Sequence, residues 1–183
     1  MMSRLLVGLA TSGMALVAVA CAPGGTTVNQ PSTANGSTPT PAPSAAHVGA
    51  TLTLSGLNSE KLQITIVKVV DPAPASSQFE VPPAGMREMA LEVRYKNVGS
   101  VTYSQSILTD VTVIDQGSHD FSVDLAYDTS AGPGFPSDSV DIAAGETEDG
   151  FVPFQVATAS VVKEVKIGLD EGFGPDTGEW LVP

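Results

Sequence analysis

The sequence predicts an all-β domain, a two-sheet antiparallel β-sandwich of about seven or eight strands. Three observations carry this. From Val48 onward, short apolar runs alternate with polar residues at period two. Clusters of Gly, Pro, Asp and Asn separate the runs, and no window holds an i, i+3, i+4, i+7 apolar stripe. A period-two run gives each strand one apolar face, which only a second sheet can cover.

The elements follow in order. Thr51 to Leu54 alternates and is followed by a turn at Ser55-Gly-Leu-Asn58. Leu62, Ile64 and Ile66 share a face, then the phase slips to Val67 and Val69, which predicts a bulge. Asp71 to Gly85 carries four prolines and is expected to be a long loop. Met89, Leu91, Val93 and Tyr95 alternate with Ala90, Glu92, Arg94 and Lys96, the pattern of a strand dry on one side and wet on the other. Further strands are expected at Val111/Val113, Phe121/Val123/Leu125, Val140/Ile142, Val152/Phe154/Val156 and Val165/Ile167/Leu169. The only tryptophan, Trp180, is expected on an edge of the core.

Ahead of this domain the texture differs. Arg4 precedes an uncharged apolar run, Leu5 to Ala20, with small residues Ala18 and Ala20 just before Cys21, the single cysteine of the chain. That is the layout of a secretory signal over 1–20, too short for a stable membrane span. The segment resembles a bacterial lipobox, which implies that the Cys21 sulfur takes a diacylglyceryl group and becomes the new N-terminus. Ala18 departs from the Leu more usual at its position. Stable anchoring needs more than one acyl chain, which such processing supplies. Residues 22–46 contain Pro, Ser, Thr, Gly, Ala and Asn with one valine and no charge. They are expected to form, with Cys21, a disordered tether over 21–46, leaving 47–183 as the domain.

Charge narrows the partners. The chain has 8 basic and 20 acidic residues, a net charge of −12, and loss of Arg4 with the signal makes it −13. Such a surface does not displace counterions from nucleic-acid phosphates and does not dock on anionic lipid by charge. The expected partners are the membrane, through the lipid, and an envelope or extracellular protein or ligand.

An ordered set of short motifs carries a family resemblance: His47-Val-Gly-Ala-Thr-Leu-Thr-Leu54; Pro83-Ala-Gly85 leading into a strand that ends Tyr95-Lys-Asn97; a turn around Gly117; and Ala144-Gly-Glu-Thr147, Gly150 and Phe154-Gln-Val156. Residues 47–170 resemble the telokin-like, immunoglobulin-type domain of bacterial lipoproteins and secreted proteins, a family defined as a domain of unknown function. They are more distantly similar to the mycobacterial immunogenic secreted proteins of the same superfamily. The resemblance implies an immunoglobulin-like sandwich and supplies no catalytic residue. The chain departs from it in the loops 71–85 and 127–139, where a ligand of its own would bind.

Catalytic motifs are absent from the sequence. Ser118-His119-Asp120 contains the residue types of a hydrolase triad, but strand neighbours face opposite ways and cannot form a relay. Met86, Met89, His47 and His119 are soft-ligand types for copper, though Met89 belongs to an apolar strand face. Ten carboxylates between Asp110 and Asp149 offer an alternative reading as a calcium site, with Asp138, Asp141, Glu146 and Glu148 the candidate ligands. No Asp-x-Asp-x-Asp-Gly loop accompanies them, so solvated acid is the expected state. The reading is therefore a lipid-anchored, exported, non-catalytic interaction module on the extracytoplasmic face of the membrane, with no cofactor.

Overall fold

The structure, a computed structural model, describes residues 26–28, 46–125 and 130–183. The expected signal 1–20, Cys21, most of the expected tether and residues 126–129 of the second loop lie outside these. Twelve strands run through the described residues: β1 (Thr26–Val28), β2 (Ala46–His47), β3 (Thr51–Ser55), β4 (Lys61–Val70), β5 (Met86–Asn97) and β6 (Tyr103–Gln105) come first. β7 (Val111–Asp115), β8 (Asp120–Ser122), β9 (Val140–Ile142), β10 (Thr147–Ala157), β11 (Val162–Gly168) and β12 (Asp176–Leu181) complete the set. A single 3-10 turn, Ile107–Thr109, is the one helical element among the described residues.

The chain is an all-β sandwich. One sheet has the order β1-β12-β11-β7-β8, with β2 also on β12, and the other has β10-β5-β4-β3; β6 and β9 make a separate pair. β5 is the backbone of the second sheet, laddered along its length to β10 and on its other side to β4. The predicted bulge is present, since the β4–β5 register shifts between Ile66 and Lys68. It changes which side chains of β4 face inward, as the sequence phase requires.

The core fills the space between the sheets. Leu62, Ile64 and Ile66 of β4 and Met89, Leu91, Val93 and Tyr95 of β5 are fully buried, as are Val152, Phe154 and Val156 of β10. From the opposite sheet Val113, Val165 and Ile167 meet them in one cluster. Trp180 is fully buried in that cluster rather than at its edge. Its indole fits because residue 178 is glycine: a Cβ there would stand 2.6 Å from the Trp180 ring and 3.3 Å from Leu52.

Five further expectations are corrected. The strands exceed seven or eight because short pieces, β1, β2, β6 and β9, add to the longer ones. The sheets are not purely antiparallel, because β1 and β2 pair parallel to β12. Those same strands lie in the stretch expected to be tether, where Ala46 is a core residue. The unpaired backbone of the outer edge of β12 provides hydrogen-bond partners that a composition argument does not see. The wet face of β5 is wet only at Arg94 and Lys96; Ala90 and Glu88 are buried, because the loops beside them fold over that half of the sheet. The run Phe121 to Leu125 shortens to β8, and Leu125 is exposed.

Two substitutions test the packing. Leu91→Ala removes a fully buried side chain and should cost about 2–5 kcal/mol in urea unfolding. Gly178→Ala should also destabilise, by overpacking against Trp180, while leaving the urea m-value unchanged.

Candidate functional site

The described chemistry lies at the two ends of the sandwich. One end, here the Asn97 end, gathers the turns 56–60, 98–102, 143–146 and 169–175. Asn97 knits it: its side-chain Nδ2 donates to Val101 O and Ile142 O, both at 2.8 Å, and its Oδ1 accepts from Gly99 N at 2.9 Å.

Beside it lies a buried cluster that the sequence did not reveal. The 3-10 turn ends at Asp110, which is only 4 % exposed. Its carboxylate accepts a hydrogen bond from Tyr103 Oη at 2.6 Å and from Glu171 N at 2.9 Å. Asp170, also buried, accepts from Leu57 N at 2.7 Å. The turn that carries these residues is strained, with Asp170, Glu171 and Gly172 all at positive φ, a cost of roughly 1–2 kcal/mol for each non-glycine residue. Burial pushes the Asp110 carboxyl up to about 7, against the pull of its bonds from Tyr103 and Glu171 N. Burial also raises the Tyr103 phenol, and the neighbouring Asp110 adds to this. The Tyr95 hydroxyl, buried and without a partner, is raised for the same two reasons in the same order. Such a cluster can hold and release a proton. It is sealed from solvent and offers no acid or base to an external substrate.

The second constellation sits on the β7–β8 hairpin at the opposite end, here the Arg87 end. Asp115 accepts from His119 N at 2.9 Å, faces His119 Nδ1 at 3.0 Å, and accepts from Ser160 Oγ at 2.8 Å. These bonds, led by that of the His119 backbone, hold its carboxyl well below the usual range. Serine, aspartate and histidine do meet here, but with the aspartate in the middle. The Ser160 proton goes to a carboxylate instead of an imidazole, so the arrangement is a turn brace and not a relay. Ser118 and Asp120, the other members of the sequence run, take no part: Ser118 Oγ accepts from Lys163 Nζ and Asp120 is laddered to Ile114.

The candidate metal ligands are held apart in roles of their own. Asp141 accepts from Ser104 Oγ across the β6–β9 pair, and Glu146 Oε2 accepts from Ala143 N within its own turn. Asp138 and Glu148 are exposed. Among the described residues no three acidic, histidine or cysteine side chains converge as a metal site requires. Nor do the copper types gather, since Met89 is in the core and His47 is exposed on β2. The acidic stretch is not uniformly solvated, as was expected; Asp110 and Asp115 are buried because turn N–H groups need acceptors.

The loops singled out by sequence do meet. Ser130 N donates to Pro74 O at 3.1 Å, and Ala73, Ala90 and Phe151 form a small second core with Val70 and Ala131 over the outer face of β5. Gly132 makes this possible, since a Cβ there would lie 2.3 Å from the Phe151 ring. Arg87 fixes the root of the first loop through a bidentate pair with Asp71 at 2.6 and 2.7 Å and a bond to Ser160 O at 2.9 Å. Its guanidinium is raised by that pair. Beyond this root, Phe79 stands 86 % exposed and Val81 63 %. Two recesses accompany the loops and sheet faces, about 80 Å³ beside Pro133 and Phe151 and about 210 Å³ between Leu108 and Val123. Both fall short of the size at which pockets enclose a small molecule.

Two measurements follow. The folded Asp110 holds its proton to about pH 7, whereas its ordinary value is 3.8, so stability should fall as pH rises between those limits. Asp115 acts in the opposite sense, stabilising above its unfolded value and losing this as pH drops below it. Melting temperature should therefore peak at mildly acid pH, and Asp110→Asn should flatten the fall toward pH 8. Equal concentrations of calcium and magnesium, at matched ionic strength, should give the same melting temperature; a calcium-specific rise lost in Asp138→Asn or Asp141→Asn would restore the calcium reading.

No family model matches the chain, and no curated protein does. Solved structures do. The chain is similar to a candidate lipoprotein, ycdA, from Bacillus subtilis, at 15 % identity and a TM-score of 0.54, over 74 % of this chain. It spans only 38 % of the ycdA chain. It is similar to the yjhA protein of the same organism at 13 % identity and a TM-score of 0.51, covering 75 % of this chain and 97 % of that one. A secreted protein from Mycobacterium tuberculosis, MPT63, matches at 14 % identity and a TM-score of 0.48, over 73 % of this chain and 95 % of that one. At these identities the likeness to ycdA and yjhA is one of fold: the β-sandwich is shared.

Proposed function

We propose that the protein is a lipid-anchored, extracytoplasmic binding module that performs no catalysis. The observation that carries the reading is Cys21, the only cysteine, placed where a signal-like segment ends and a charge-free stretch begins. A candidate lipoprotein of similar fold supports export. Binding falls to the Arg87 end, where the loop 71–85, held at its root by the Arg87–Asp71 pair and met by Ser130, presents Phe79 and Val81 to solvent. Exposed apolar side chains on a fixed loop root are what a protein partner buries. The acidic surface argues for a protein or ligand of the envelope and against nucleic acid.

Cys21→Ser should accumulate as a larger, unprocessed form without lipid label, and normal processing of that variant would remove the anchor from the reading. Phe79→Ser with Val81→Ser should leave the melting temperature within about a degree of the parent, since both side chains are exposed. The same pair should lose whatever envelope component the parent retains in affinity capture; retention unchanged would place binding elsewhere.

A further inference from the structure

We infer that the Asn97 end of the sandwich rests on the lipid surface, with Leu57 and Phe173 seated among the headgroups; this builds on the anchor at Cys21. The argument starts from chain direction. β1 runs parallel to β12, and its first residue, Thr26, lies opposite Asp176, where β12 begins. The β11–β12 turn is therefore immediately beside the point at which the chain leaves toward Cys21. Five peptide steps separate Cys21 from Thr26, which span at most about 18 Å. With β1 zipped to the sheet, the lipid-bearing residue cannot stand off from this end by the length of a whole tether.

The surface that faces this way is apolar at its tips. Phe173 is 74 % exposed and Leu57 60 %, and Val98 and Val101 of the neighbouring turn are exposed as well. Leu57 and Phe173 are adjacent: Leu57 N bonds the Asp170 side chain at 2.7 Å and Phe173 N bonds Asp170 O at 3.1 Å. Val98 N joins the same face through Lys61 O at 2.9 Å. The turn that carries Phe173 runs through successive left-handed residues, and the buried Asp110 carboxylate holds its backbone through Glu171 N. Exposed charges here are Lys61 and Lys96 against Asp141, Glu146, Glu148 and Glu171, which do not draw the domain to a zwitterionic surface, so the contact is apolar and insensitive to salt. Phe79 and Val81, exposed on the loop at the opposite end, remain in water.

The test uses the processed, lipidated full chain in phosphatidylcholine vesicles. Acylation consumes the one native thiol, so Phe173→Cys and, separately, Phe79→Cys each provide a single site for an environment-sensitive fluorophore. Both positions are exposed, and both labelled proteins should fold. The label at 173 should shift to the blue and lose intensity to a nitroxide carried on the lipid headgroup, while the label at 79 does neither. The difference should persist at high salt. Labels equally unquenched, equally quenched, or quenched only at 79 would each overturn the inference. Mass spectrometry of the same samples separates the two layers: an unacylated Cys21 removes the anchor reading and this inference with it, whereas acylation with an unquenched 173 removes the inference alone.

Discussion

Trp180 packs over Gly178 against Leu52, and its Nε1 donates to Ala50 O at 2.9 Å, so one side chain of β12 ties its sheet to the first strand of the other. The rest of the sandwich depends on this closure. The chain has a single cysteine, so no intrachain disulfide constrains the domain. Cohesion therefore comes from the apolar layer between the sheets, at about 25 cal/mol for each Å² removed from water. Strand alternation supplies that layer, and β5 supplies its centre.

Closing a sandwich leaves turn backbone groups to be satisfied at each end, and this chain satisfies many of them with carboxylates. Asp110 takes Glu171 N, Asp170 takes Leu57 N, Asp176 takes Ser55 N and Asp115 takes His119 N. A carboxylate accepting from an N–H makes a stronger bond than a neutral amide does. Its cost is desolvation, and the balance differs between sites. Asp115 gathers three donors and stays charged, while at Asp110, beside Asp170, desolvation outweighs the donors and pushes the carboxyl toward neutrality. One device thus produces opposite pKa shifts at the two ends.

The period-two pattern made the long strands legible. Leu62, Ile64 and Ile66, then Met89 to Tyr95, are buried as the alternation requires, and the slip after Ile66 is the bulge. What escaped the sequence was of longer range. Thr26–Val28 carries no apolar periodicity and becomes a strand only because β12 offers an open edge. Ala90 reads as part of a solvated face until two loops from distant parts of the chain cover it. The carboxylates of 110–149 look alike in composition, yet Asp110 and Asp115 are distinguished by which turn N–H stands nearby, a fact set by tertiary contact. Asp115 had the better local signal, since Asp at the head of a Gln116-Gly117 turn commonly accepts from its own backbone.

The placement of edges connects the fold to the proposed setting. An open strand edge invites pairing with another copy, and a protein confined to a membrane surface meets its copies at high local concentration. Here the outer edge of β12 is occupied by β1 and β2. The outer edge of β10 is met by the segment after Ser130, through the Gly134–Phe151 bridge and the bond from Phe151 N to Pro133 O. β8, at the far edge of the first sheet, is only three residues long and begins with Asp120. The same N-terminal segment that blocks an edge also fixes where the chain departs, at the Asn97 end. Protection of the sheet and the proposed orientation of the domain thus rest on one pairing, and the loop 71–85, with Phe79 and Val81, is left at the opposite end.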